Sequence, residues 1–258
     1  MKPRVCVLRT DGTNCDQETA YAFEKCGASV ELVHVNQLRN RDVRLRDFQI
    51  MAIPGGFSYG DDVHSGKVLA VEMVSFFREE LSEFVAQHKL LLGICNGFQV
   101  LVRTGLLPDA DLGKIKVTLM GNDSGRFECR WVDMRVQKSP CILTEGMEDV
   151  VVSYQAAHGE GKFYAEPEVL DDLEARGLVV LRYVDRSGNE TMSHPQNPNG
   201  SLRAIAGLCD PSGRIFGLMP HPERYVDDTQ HPLWRRKKGA EPDGLLVFQN
   251  AVRYAGNS

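Results

Sequence analysis

The sequence predicts an α/β fold: a mostly parallel central sheet with helices on both faces, continued by an antiparallel extension. Three observations predict it. In the first part of the chain, short apolar runs alternate with stretches whose apolar residues recur at helical spacing, the pattern of parallel strands covered on both sides. One of these runs, Leu90-Leu91-Leu92-Gly93-Ile94, passes directly into Cys95-Asn96-Gly97 and then into a helical pattern at Phe98, Leu101 and Val102, which marks a sharp strand-to-helix turn. After Gly105 the runs become shorter and lie between polar turns, so this half extends the same sheet with mixed or antiparallel strands.

Taken in order, Val5 to Leu8 reads as the first buried strand, ended by Asp11-Gly12. The helix carrying Ala20, Phe23 and Cys26 has Thr13 or Asp16 as its candidate cap and Gly27 as its stop. Val30 to Val35 is the second strand and Phe48 to Ile53 the third, which stops at the low-bulk turn Pro54-Gly55-Gly56-Phe57-Ser58. Leu69 to Val85 is apolar at helical spacing and leads to the Leu90–Cys95 strand. Ligands of parallel sheets bind at the carboxyl ends of the strands, so Gly55-Gly56 and Cys95 are expected neighbours. Further strands are expected at Lys116–Met120, Phe127–Val136, Val150–Ser153 and Val179–Val184, with a helix at Pro167–Arg176 and a loop at Ser193–Ser201. Ala204–Leu208 and Arg214–Met219 form a hairpin around Asp210-Pro211-Ser212-Gly213, and Leu245–Tyr254 is a closing helix. The segment Val226–Asp243 reads as a polar insertion on the surface. Without a repeat or a linker, the expectation is one domain over residues 1–258.

Composition narrows the function. With 258 residues, 42% hydrophobic and 25% charged, the chain is an ordinary globular one, long enough for a large α/β core. A net charge of −5 gives no reason to expect nucleic acid. No apolar run approaches the roughly 20 residues of a membrane span, and the N-terminus lacks the apolar core of a signal peptide. Seven scattered cysteines without a Cys-x-x-Cys fit reduced cytoplasmic thiols better than a disulfide framework or a zinc site.

The chemistry is carried by the Gly93-Ile94-Cys95-Asn96-Gly97 turn. A nucleophile elbow holds one side chain at an exposed apex, with glycines two residues to either side. The free N–H groups and dipole of the following helix favour negative charge there. From this segment alone, a buried structural thiol explains Cys95 equally well. A thiol nucleophile also needs a base, a group that orients the base and an oxyanion hole. His221 and Glu223 supply the first two. Two residues apart in a segment kept extended by Pro220 and Pro222, they face the same way. The N–H groups of Asn96 and Gly56 are the candidate oxyanion donors, although Gly55-Gly56 is equally explained as a tight turn. Gly60 to Val68 has the wrong glycine spacing for a phosphate loop, and there is neither a Gly-x-Gly-x-x-Gly nor a His-x-x-x-His. The residues thus offer acyl transfer from a cysteine, with no nucleotide or metal site.

Seven segments together resemble the class I, or triad, glutamine amidotransferases. They are Gly12-Thr13-Asn14-Cys15, Pro54 to Asp61, Gly93 to Gln99, Arg126 to Arg130, His158-Gly159-Glu160-Gly161, Asn199-Gly200-Ser201 and Met219 to Arg224. The elbow and the His-Pro-Glu triplet are general to the class. Gly-Gly-Phe-Ser-Tyr-Gly-Asp and His-Gly-Glu-Gly point to its subfamily of glutaminase subunits of phosphoribosylformylglycinamidine synthases. The resemblance implies a flavodoxin-like glutaminase fold that hydrolyses L-glutamine to glutamate and ammonia, with Cys95, His221 and Glu223 as the triad. It implies substrate contacts at Gln99 and at the backbone of Gly159 and Glu160. It also implies delivery of ammonia to a synthetase subunit carrying ATP and magnesium, with a small bridging subunit between the two. Two other readings stand beside it: a cysteine hydrolase or chaperone-like protein of a neighbouring fold that shares the elbow, and a catalytically silent binding subunit. Proteins of the first kind lack a late His-Pro-Glu, and the second kind is expected to have lost Cys95, His221 or Glu223.

Overall fold

A strand with no polar alternation must be covered on both faces, and Leu90–Ile94 is buried at every residue. The computed structural model describes residues 2–236, 239 and 241–257. In chain order its strands are β1 (Arg4–Arg9), β2 (Ser29–His34), β3 (Ile50–Ile53), β4 (Leu90–Ile94), β5 (Thr118–Met120), β6 (Glu128–Val136), β7 (Val151–His158), β8 (Lys162–Tyr164), β9 (Val179–Tyr183), β10 (Ile205–Cys209) and β11 (Ile215–Leu218). The helices are α1 (Asp16–Lys25), α2 (Val35–Arg39), α3 (Lys67–Phe76), α4 (Arg78–Ala86), α5 (Asn96–Thr104), α6 (Pro167–Ala175) and α7 (Leu245–Asn257).

Among the described residues, nine strands form one sheet in the order β2-β1-β3-β4-β11-β10-β9-β6-β7, and β5 and β8 pair separately. The body β2-β1-β3-β4-β11 is parallel. From β11 through β10, β9 and β6 to β7 every pairing is antiparallel. Both features follow the sequence expectation. The insertion of β11 beside β4 places the turn after β11 against the elbow after β4. Helix α5 lies over β3, β4 and β11 and against α3, while α1 lies on β1 and β2 and against α7. Phe23 and Phe248 meet edge to face, with ring centroids 4.9 Å apart, where α1 and α7 join.

Several local expectations are corrected. Helix α1 begins at Asp16 with Cys15 in the cap position and no side-chain cap, because Thr13 Oγ1 instead accepts the Thr10 N–H at 3.1 Å. The apolar stretch Leu69–Val85 is two helices, broken where Phe77 leaves helical geometry and is buried. Strand β7 runs on to His158, well past Ser153, since residues 151–158 pair along β6. The short α2 and β8 are additions with too few residues to show a period.

The Val226–Asp243 segment is not simply a solvated insertion. Val226 and His231 are buried, and the His231 ring stacks 4.7 Å from Trp131 and 5.1 Å from Tyr225. At its far end Asp243 accepts the Ser153 N–H at 2.9 Å, which ties the segment to β7. Leu233 to Arg236 are exposed, whereas Lys237, Lys238 and Ala240 lie outside the described residues. No helix among the described residues is long and apolar enough to cross a membrane.

Candidate active site

Cys95 occupies the turn between β4 and α5 with φ 52° and ψ −105°, a conformation that costs a non-glycine residue on the order of 1–3 kcal/mol. Two contacts hold it there. The Cys95 N–H donates to Leu218 O at 2.8 Å, which fastens the elbow to the end of β11. Gly97 packs backbone to backbone on the end of β3, so closely that a Cβ at this position would stand 1.8 Å from Ile53 O. Only glycine permits that approach. It brings the first turn of α5, whose leading N–H groups have no intrahelical acceptor, beside the Pro54–Gly56 loop. Cys95 is 5% exposed, and its sulfur lies 3.7 Å from Ala157 O.

His221 and Glu223 follow β11. The His221 N–H donates to Gln155 O at 2.8 Å, which pins the segment to β7. The extended segment expected through Glu223 stops at His221: Pro222–Arg224 turn in a 3₁₀ helix with Pro222 in its first position, where a proline is tolerated because its missing N–H has no helical partner to lose. His221 and Glu223 are 1% and 0% exposed, and the Nδ1–H of His221 donates to Glu223 Oε1 at 2.6 Å. Burial alone would lower the basicity of the ring. The negative charge of Glu223 and the nearby Cys95 and Cys15 sulfurs outweigh it and hold the imidazole well above the ordinary histidine range. His221 Nε2 and Glu223 Oε2 are buried without a hydrogen-bond partner. A ring nitrogen without a hydrogen-bond partner beside an elbow thiol is placed to exchange a proton with the sulfur.

Of the candidate oxyanion donors, Asn96 is the first residue of α5, and Gly56 pairs with Thr13 in an isolated antiparallel bridge. Gly55 packs directly on the His221 ring, so the loop that contains Gly56 stands within the site. Gln99 is buried and donates through Nε2 to the Glu160 carbonyl. The Gly159 carbonyl accepts the Asn122 N–H at 2.9 Å. Both carbonyls are thus engaged within the protein, as is the Gly161 N–H, which donates to Asn122 Oδ1 at 3.0 Å. The Glu160 carboxylate lies 3.4 Å from the Ser65 N–H and 3.7 Å from the Arg103 guanidinium. Beyond it, a cavity of about 540 Å³ is lined by residues that include His64, Arg103, Met120, Glu160 and Tyr164. Neither Cys95 nor His221 lines it.

The His158-Gly-Glu-Gly turn is fixed by a buried polar network. His158 Nδ1 lies 3.2 Å from Asn122 Oδ1 and Nε2 lies 3.5 Å from Asn199 Nδ2, a pattern that suits a neutral ring donating at Nδ1 and accepting at Nε2. Burial and the neighbouring His221 lower its pKa to about 4. Ser201 Oγ donates to Asn199 Oδ1 at 2.7 Å and accepts the Phe163 N–H at 2.9 Å. Asn122, the His158–Gly161 turn and the Asn199–Ser201 segment are therefore one scaffold that sets the Glu160 carbonyl on Gln99.

Two residues of the site escape a reading by motif chemistry. Cys15, 1% exposed, packs against Gly55 and the His221 ring, and its sulfur is 3.2 Å from Arg224 Nη2. Arg224 also donates to Glu18 at 2.9 Å and to Gln155 at 3.2 Å. Both residues stood within segments that carried the resemblance. Their meeting depends on the Thr13–Gly56 bridge, which no spacing reveals.

Comparison with known proteins identifies the family. Residues 2–255 match the CobB/CobQ-like glutamine amidotransferase domain. The chain is 48% identical to the phosphoribosylformylglycinamidine synthase subunit PurQ of Dehalococcoides mccartyi, over 98% of both chains. It is 42% identical to the PurQ of Methanococcus maripaludis strain S2, over 98% of this chain and 97% of the relative. Among solved structures, a chain of PurLQS from Thermotoga maritima superposes with a TM-score of 0.75 at 36% identity, covering 98% of this chain and 99% of the other. The chain therefore belongs to the CobB/CobQ-like glutamine amidotransferase family.

Proposed function

We propose that this chain is the glutaminase subunit of a phosphoribosylformylglycinamidine synthase, acting as a single domain in the cytoplasm. The observation that carries the chemistry is the placement of His221, backed by the buried Glu223 at 2.6 Å, just after β11, the strand paired with the one that leads into the Cys95 elbow. The substrate and the assembly are supported by the full-length likeness to PurQ subunits and to the chain from PurLQS.

In this reading Cys95 Sγ attacks the side-chain amide carbon of glutamine, and its proton passes to His221 Nε2. The N–H groups of Gly56 and Asn96 receive the oxyanion of the tetrahedral intermediate. His221 returns the proton to the amide nitrogen, ammonia leaves, and a thioester of glutamate remains on Cys95. Water then attacks the thioester, giving its proton to His221, and glutamate departs as the thiol is restored. Glu223 holds the ring in its working tautomer and stabilises the imidazolium. Gln99 contacts the substrate, and the Gly159–Glu160 backbone receives its amino-acid end. Ammonia passes to the synthetase subunit, where ATP and magnesium bind and formylglycinamide ribonucleotide becomes formylglycinamidine ribonucleotide; a small bridging subunit completes the assembly.

The test is glutamate release by the pure chain, then by the chain with its synthetase and bridging subunits, ATP and formylglycinamide ribonucleotide. Glutamine-dependent release that rises on assembly and vanishes in Cys95→Ala supports the reading. Release that persists in Cys95→Ala overturns it.

A further inference from the structure

The imidazole of His221 has sulfur near it from two directions in the sequence, and only one of the two is the elbow thiol. Cys15, from the turn after β1, contacts the same ring. Among the described residues, one cluster has the makings of a metal site: ligand atoms of Cys15, His221 and Glu223 all lie within 4.8 Å of one another, and all three residues are buried. We propose that Cys15, His221 and Glu223 form a binding site for a thiophilic divalent cation of the zinc class, and that occupancy inhibits the enzyme.

The donor set is one that zinc accepts: a thiolate sulfur, an imidazole nitrogen and a carboxylate oxygen. Tetrahedral coordination, with metal–ligand bonds of about 2.0–2.3 Å, separates neighbouring ligand atoms by roughly 3.3–3.7 Å. Side chains already within 4.8 Å of one another need only small rotations to close on an ion. The second observation is Glu223 Oε2, fully buried and without a partner. It is an oxygen ready to turn to a cation while Oε1 still faces His221. The Nδ1–Oε1 separation of 2.6 Å is shorter than the ligand spacing, so an ion bound at Nδ1 would take the place of the shared proton and part that pair. Binding releases two protons to solvent, one from the Cys15 thiol and one from His221 Nδ1, and leaves the ring's remaining proton on Nε2, which then has no free lone pair for the proton of Cys95. An imidazole held in this way cannot cycle its proton between Cys95 and the leaving ammonia.

The inhibition rests on the reading of His221 given above, but the binding does not. The direct test is therefore made on Cys95→Ala, which has lost the elbow thiol. The metal-free variant is titrated with cobalt(II), a spectroscopic substitute for zinc. The expected result is about one equivalent bound, with near-ultraviolet sulfur-to-cobalt charge-transfer absorption that zinc(II) displaces. That absorption is lost when Cys15→Ala is added to Cys95→Ala. Cys15→Ser, which keeps the shape of the site, serves if the alanine variant does not fold. In the otherwise wild-type chain, Cys15→Ala or Cys15→Ser raises the zinc concentration for half-inhibition at least tenfold, each variant being measured against its own uninhibited rate. Absorption that needs Cys95 and survives loss of Cys15 places the ion on the elbow thiol and overturns the proposal. Absence of stoichiometric binding in Cys95→Ala overturns it as well.

Discussion

The ring of His221 rests on the α-carbon of Gly55: a Cβ at Gly55 would stand 2.6 Å from His221 Cε1 and 3.1 Å from Cys15 Sγ. The glycine is there for the imidazole as much as for the turn. Gly55→Ala must push the ring away from its line between Glu223 and Cys95, and a displacement of about 1 Å can cost ~10²-fold in rate. The expected outcome is a kcat for glutamine hydrolysis lowered at least tenfold, with little change in the thermal midpoint. Steady-state glutamate release and a melting curve check it, and a kcat within twofold of wild type would show that the ring has room to yield.

Cys95 is strained and buried at once, so its replacements separate activity from stability. Cys95→Ala is expected to abolish glutamine hydrolysis and labelling by a diazo-ketone glutamine analogue while the protein stays folded. Cys95→Gly should be at least as stable as Cys95→Ala, because it releases backbone strain of about 1–3 kcal/mol against the usual glycine penalty of roughly 0.5–1 kcal/mol. Urea denaturation of the two variants decides. A glycine variant weaker than alanine by about 1 kcal/mol, the common order in a helix or strand interior, would mean that the positive φ is not costly here.

Removal of the base should outrank removal of its support. His221→Ala is expected to lower kcat by ~10²–10⁴-fold, and Glu223→Gln by less, since glutamine still accepts a hydrogen bond from Nδ1. Glu223 also raises the basicity of the ring, so Glu223→Gln should move the pH limb governed by His221 to lower pH. Pre-steady-state rates and a kcat/KM pH profile test both statements. A larger loss in Glu223→Gln than in His221→Ala would exchange the two roles.

His158 gives the fold an acid sensitivity of its own. Its folded pKa of about 4 lies below the ordinary value near 6.5, so the unfolded chain binds the proton first. The stability this residue contributes is complete above pH 6.5 and is lost as the pH falls toward 4. Between pH 6.5 and 5 the loss is about 2 kcal/mol at 1.36 kcal/mol per pH unit. His158→Gln, which cannot titrate, should flatten that part of the stability curve, as measured by urea midpoints at pH 7.5 and 5. Parallel curves for the two proteins would count against a neutral buried ring.

These positions also show how far the sequence could be read. Strands of the parallel body are legible because burial on both faces leaves apolar runs such as Val5–Leu8 and Leu90–Ile94, and the elbow is legible because its glycines have local reasons to be there. His221 and Glu223 are legible as a pair from the His-Pro-Glu triplet, but not in their geometry, because Pro222 opens a 3₁₀ turn where an extended segment is expected. Cys15 beside His221 is not, for it depends on the bridge between Thr13 and Gly56, two short segments with no periodic pattern. The cover of His231 on Trp131 is illegible for the same reason: the segment is polar by composition, and one buried imidazole does not change that. The cap of α1 is not legible, because Thr13 and Asp16 both suit the role and only the folded structure turns Thr13 back toward Thr10.

The place of β11 between β4 and β10 has a consequence for the life of the chain before it is an enzyme. As the polypeptide leaves the ribosome, the elbow thiol emerges long before His221, and β4 lacks its neighbour on that side until β11 has been made. Pairing between segments so distant in sequence is a slow step in folding. Until it happens, Leu90–Ile94 presents an apolar, unpaired edge, the kind of surface on which chains aggregate. A stalled or truncated nascent chain is thus expected to be a client for chaperones, and to carry a thiol that cannot yet consume glutamine.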